Sequence, residues 1–286
     1  MCNSDVTWRV VKPATAWSRR LGLDVPIVNA PMGGVAGGRL AAAVSRAGGL
    51  GMIGMGSAAT PDALRQELAE LERCGGLARP FGIGLVHWVM IDRPELFEIA
   101  VAARPALLSV SFGADWSWVG DAHAAGVQVC TQVARPDDAR QAVAAGVDVL
   151  VARGAEGGGH GEPVMATLPL LAEVLAAVDV PVLAAGGIST ARAVAAVLAA
   201  GAAGAWVGTA FTVSHEALTP PAARAELLAG TETELTREFD IAAGYRWPAT
   251  MPERVLRGSA VNAGQGVGAV REELGAAEVL ARLIQA

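Results

Sequence analysis

The stretch PVLAAGGISTARAVAAVLAAGAAGAWVGTAF (181–211) holds two short apolar runs, 182–185 and 205–207, each closed by a glycine turn. Between them Ser189 and Thr190 offer a helix N-cap, an alanine-rich segment follows, and Gly201 ends it. A strand, a helix and a second strand joined this way form a parallel βαβ unit. The same unit recurs along the chain. Strands are expected at 26–30, 50–54, 81–86, 106–111, 127–132 and 147–152 in addition to these two. Helices are expected at 39–47, 60–73, 92–104, 116–125, 136–146, 168–178 and 189–201. Thr60-Pro61 starts the second helix as a cap followed by a first-turn proline, and Ala-Ala-Gly endings repeat at 124–126, 144–146 and 199–201.

Eight such units predict the α/β class and a (β/α)8 TIM barrel, with a small loop and helix extension after the eighth strand. A doubly wound sheet is the alternative, and it ranks lower because no point of strand reversal is visible. The expected division is an N-terminal segment 1–21, the barrel 22–219, a cover segment 220–270 opened by Pro220-Pro221, and a closing amphipathic helix in 271–286.

The 286 residues are 52% hydrophobic and 17% charged, enough apolar content for one large core. The net charge is −6 and basic residues are scattered singly, which argues against nucleic acid or an anionic membrane surface as partner. Cys2, Cys74 and Cys130 are odd in number and lack metal-ligand spacing, so no metal site is expected and a reduced, cytoplasmic setting is. No apolar run reaches spanning length. Low surface charge would allow a homodimer.

Active-site residues of such barrels gather at the C-terminal ends of the strands. Four turns fall there. Ala30-Pro31-Met32-Gly33 follows the first strand and offers an apolar, polarizable surface for a flat ring. The sixth strand leads into RGAEGGGHGEP (153–163), where four glycines surround His160, the side chain best suited to proton transfer near neutral pH. Gly186-Gly187 and Trp206-Val207-Gly208-Thr209 end the last two strands and have the composition of a phosphate cradle; tight turns alone would be the simpler reading. No GxGxxG fingerprint stands between strand and helix, so a mononucleotide with a ring, FMN, suits the pattern better than NAD. Gln132, at the end of the fifth strand, is a candidate contact to that ring. His87 and Trp88, after the third strand, are candidates for a substrate pocket. Glu156 and Glu162 flank His160 as groups that could orient it, or as solvated loop carboxylates.

Four segments together resemble the nitronate monooxygenase family: 29–54, 154–162, 181–211 and FDIAAGYRWP (239–248). The resemblance spans most of 22–260 and implies an FMN-dependent barrel with His160 as catalytic base. It also implies cofactor contacts at Gly158, at Gly187, and at Trp206 to Thr209; Gly159, beside Gly158, is a further cofactor-site candidate. Two departures stand out. Gly84 lies near a place where the family often has Asn, and Arg153 stands where it often has Gln. The implied reaction is oxidation of a nitronate or similar small carbanionic substrate by O2. One alternative is an FMN-dependent, NAD(P)H-using reductase of enoyl thioesters or quinones. Another is a flavin-free, phosphate-binding barrel isomerase or lyase.

Overall fold

The computed structural model describes residues 14–285; Cys2 and the rest of 1–13, and Ala286, lie outside the described residues. The strands form two sheets. The larger holds β1 (Ile27–Asn29), β2 (Gly51–Met55), β3 (Phe81–Val86), β4 (Leu107–Ser111), β5 (Val129–Val133) and β6 (Val149–Arg153), with β8 (Val182–Ala185) and β9 (Gly204–Val207). The smaller holds β7 (Gly159–His160), β10 (Thr233–Thr236) and β11 (Glu253–Leu256).

The larger sheet runs β1-β9-β8-β6-β5-β4-β3-β2 with every pair parallel. A bridge between Val28 and Leu50 joins its ends, so the sheet closes into the expected (β/α)8 barrel. Val28, Met52, Cys130, Val151 and Leu183 belong to the cluster that fills the barrel. Burial pushes the Cys130 thiol up to about 12, which removes it as a nucleophile. Trp17, on the helix Ala16–Arg20, joins the same cluster at the floor. A Cβ on Gly204 would come within 3.2 Å of the Trp17 ring.

The seam between β1 and β2 is short, and a side chain reinforces it. Asn29 is fully buried; its Oδ1 accepts from Met52 N at 2.9 Å, and its Nδ2 donates to Met52 O at 2.9 Å. The amide thus serves as one more rung between the two strands. Helices cover the outside. The closing helix, Ala276–Ile284, packs against Gly38–Arg46 and Ala191–Ala199 and completes the ring there. Among the described residues no helix is long and apolar enough to cross a membrane.

Two elements differ from the expectation. The third expected helix is Glu95–Ala102, and a short helix not expected, His87–Asp92, precedes it and ends before Pro94, which cannot continue it. The cover segment is more ordered than a loop. After the helix Pro221–Ala229 it lays β10 and β11 beside the glycine loop, and β11 pairs antiparallel with β7, setting Glu253 opposite His160 and Arg254 opposite Gly159.

Replacing Asn29 with Ala strips partners from a buried N–H and a buried carbonyl. A loss on the order of 2–4 kcal/mol is expected. Denaturant unfolding of the variant beside the wild type measures it.

Candidate active site

A cavity of about 260 Å³ opens at the C-terminal ends of the barrel strands. Its lining gathers Ala30, Pro31, Met32 and Gly33 from the first turn, with Gln132, Arg153, Gly158, Gly159 and His160. Gly186, Gly187, Trp206, Gly208 and Thr209 complete that set of expected positions. Val207 is fully buried in the core and does not line the cavity. His87 and Trp88 stand outside the lining, and the indole of Trp88 instead meets Trp247 edge to face at 5.8 Å.

The floor depends on a missing side chain. A Cβ on Gly84 would lie 2.3 Å from Cγ of Pro31, so glycine in β3 lets the proline ring seat there. An asparagine at that place would force Pro31 to move. At the far wall Gly186 and Gly187 have φ of +115° and +67°, which strongly favour glycine. The N–H groups of Gly187, Ile188, Gly208 and Thr209 have no acceptor among the described residues. Such a set of bare donors attracts an anion. The Thr209 hydroxyl accepts from Gly264 N at 2.9 Å, tying the cover segment to this wall.

Glycines cannot fix the shape of the loop that carries His160. Two buried arginines do. Arg153 donates through one nitrogen toward Gly157 O (2.9 Å), Gly159 O (3.1 Å) and Gly158 O (3.2 Å). Arg254, from β11, donates to Ala155 O at 3.1 Å. Burial, and then the Arg254 charge, lower Arg153 to about 10, while Glu156 acts in the opposite sense. A guanidinium at that value is still charged at neutral pH. Arg153 is therefore a clamp on the loop as well as a cavity wall.

His160 Nε2 lies 2.7 Å from Oδ2 of Asp240, whose side chain is only 7% exposed. The imidazole stacks on Trp247 with ring centroids 3.6 Å apart and planes 7° from parallel. Trp247 donates from Nε1 to the Ser57 hydroxyl at 2.9 Å and meets Phe112 edge to face at 5.0 Å. Phe112 adopts φ +71°, a costly conformation for a bulky residue, which puts its ring against Trp247. Burial lowers the His160 pKa from its ordinary value; Asp240 opposes that shift and the Arg153 charge adds to it. With Nε2–H donated to a carboxylate, the free ring lone pair is on Nδ1.

The partner of His160 is thus Asp240, and neither Glu156 nor Glu162 takes that place. Glu156 accepts from Thr167 N and Oγ1, both at 2.9 Å to its Oε2, and so caps the helix Thr167–Ala177. Glu162 pairs with Arg135 at 3.2 Å. Asp240 and Trp247 both lie in the FDIAAGYRWP segment, so the signal was present, without the distance that gives each residue its task.

Known proteins share this architecture. The chain is 34% identical over 265 residues to a (3aS,4S,5R,7aS)-5-hydroxy-7a-methyl-1-oxo-octahydro-1H-indene-4-carboxyl-CoA dehydrogenase of Rhodococcus jostii, an alignment covering 92% of this chain and 71% of that protein. It is 32% identical over 247 residues to a nitronate monooxygenase of Pseudomonas aeruginosa, covering 70% of this chain and 69% of that one. The structure of FabK from Thermotoga maritima superposes with a TM-score of 0.84 at 27% identity, covering 95% of each chain. Fold, cavity and relatives define a flavin-binding oxidoreductase built on a (β/α)8 barrel. Within that class the chain belongs to the nitronate monooxygenase family, which matches residues 15–103 and 92–246.

Arg153→Gln shortens the clamp and takes away its charge. Amide hydrogen exchange in 157–161 is expected to rise by about tenfold or more, a loss of local stability of about 1.4 kcal/mol. Exchange followed by mass spectrometry of that peptide reads it, and an unchanged rate would deny the arginine its role.

Proposed function

We propose that the chain is an FMN-dependent oxidoreductase of an acyl thioester, in which His160 handles the proton on the carbon beside the thioester carbonyl. The carrying observation is the 2.7 Å pair of His160 and buried Asp240 on the wall of a cavity with an apolar floor and a row of unpartnered backbone N–H groups. The relative named as a carboxyl-CoA dehydrogenase supports a thioester as substrate class.

FMN suits these residues. Pro31 and Met32 would bear its ring, and the free N–H groups at Gly187, Ile188, Gly208 and Thr209 would hold its phosphate. Ala30, Gly33, Gln132, Arg153, Gly158, Gly159, Gly186 and Trp206 would line its site, with Val207 placing the turn from behind. When bound, FMN supplies the two-electron chemistry that no side chain offers. The protein supplies the rest. Asp240 keeps the proton on Nε2 and balances the positive charge as Nδ1 gains a second one. Trp247 fixes the plane of the imidazole and, with Phe112, keeps water from it. In the reducing direction NAD(P)H is the expected electron donor.

Oxidation of a nitronate by O2 is the second reading, supported by the family and by the Pseudomonas relative. The same base suits a proton beside a nitro group. Purified protein that releases FMN on heating would support the cofactor; protein that stays colourless after incubation with FMN would remove it. Anaerobic bleaching by NAD(P)H or a saturated acyl-CoA favours the thioester reading. Oxygen uptake with a nitronate, without such bleaching, favours the other.

Asp240→Asn should lower kcat/KM for a carbon acid by about a hundredfold, the usual scale for disabling a general base. Because the folded pKa of His160 is depressed, the base is neutral at lower pH than free imidazole. The acid limb of kcat/KM should therefore fall below the ordinary value of 6.5. A limb above that value would contradict the burial argument.

A further inference from the structure

A carboxyl stands behind His160 that proton transfer to substrate does not use. Glu253 opens β11 directly opposite His160 in antiparallel register. It is 4% exposed, and its Oε1 has no hydrogen-bond partner among the described residues. One side-chain donor or acceptor atom each from His160, Asp240 and Glu253 lies within 4.8 Å of the others. A second charge on Glu253 would stand close to the Asp240 carboxylate in a dry setting, which favours the neutral form of Glu253.

We propose that Glu253 is a positioning residue that sets the basicity of His160 through its own gain and loss of a proton. The assignment rests on the reading of His160 as the base. With Glu253 neutral, the single charge of the pair sits on Asp240, where it holds Nε2–H. When Glu253 gives up its proton to solvent, a second negative charge stands beside the imidazole and raises its proton affinity. Burial first, and Asp240 second, push Glu253 up to about 7, so the change falls in the working range. The groups around it are few. Asp240 comes from the helix Glu238–Ala243 and His160 from β7. Thr236, opposite on β10, does not titrate. Arg153 acts on His160 in the opposite sense, and Arg254, next along β11, is turned to the Ala155 carbonyl.

The test is an NMR titration of the protein as purified, with its bound cofactor, 15N-labelled at histidine and in buffer with EDTA. The chain has four histidines, so His160→Ala identifies the signal. In wild type, His160 should titrate in two steps, the second near pH 7. In Glu253→Gln the step near pH 7 should vanish and a single step below the ordinary 6.5 should remain. Glu253→Asp should restore the second step. Superimposable wild-type and Glu253→Gln curves would overturn the proposal. Should Glu253→Gln fail to fold, wild type decides alone: its infrared spectrum should show a carboxylic-acid stretch lost between about pH 6 and pH 8. Absence of that band at the lower pH would also overturn the proposal. None of these readings depends on turnover. An inert Asp240→Asn effect on activity would instead count against the base, leaving the coupling of the three groups standing.

Discussion

A run of glycines has no side chains to pack, and the site exists because a buried guanidinium packs them from within. Arg153 gathers three successive carbonyls, and everything downstream depends on the loop staying in that shape. The held loop presents Gly159 and His160 as a strand edge for β11. That pairing brings Glu253 and Arg254 into place, and Arg254 then secures Ala155, closing the circle. A charge so deeply placed is costly unless it is satisfied. Three carbonyls and the nearby Glu156 meet that condition. They also explain why an arginine can stand at this buried place before the glycine loop.

The labour is divided between two parts of the chain. The barrel supplies a rigid floor at Pro31 and Met32 and an anion-seeking wall at Gly187 and Gly208. The segment after the barrel supplies the surroundings of His160: Asp240 behind the imidazole, Trp247 against its face and Glu253 across the strand. The anion-seeking wall and the surroundings of the imidazole are thus built on separate elements.

The barrel was legible because each unit announces itself locally. An apolar run, a glycine turn and a capped helix are short-range signals, and eight repeats leave little choice of fold. Turns at strand ends were legible for the same reason, and thirteen of the fourteen expected cofactor-site positions line one cavity, Val207 being the exception. The cover sheet was not legible. β7 has two residues and no periodicity, and β11 begins with a buried glutamate that breaks the pattern of a strand. Asp240 lies eighty residues from His160, and nothing local marks the pair. Glu156 and Glu162 looked better by proximity, yet one caps a helix and the other meets an arginine. Gly84 read as a departure in isolation. Beside Pro31 it is a matter of space.

The seam that Asn29 reinforces also fixes an order of events during synthesis. β1 pairs with β9 on its other side, at Ile27 with Ala205 and Asn29 with Val207. The first barrel strand to leave the ribosome must therefore wait for the last one. Until β9 has emerged, the growing sheet has two open edges with unpaired N–H and C=O groups. Those open edges are ready templates for misassociation of the nascent chain, a hazard that ends only when β9 closes the ring against β1.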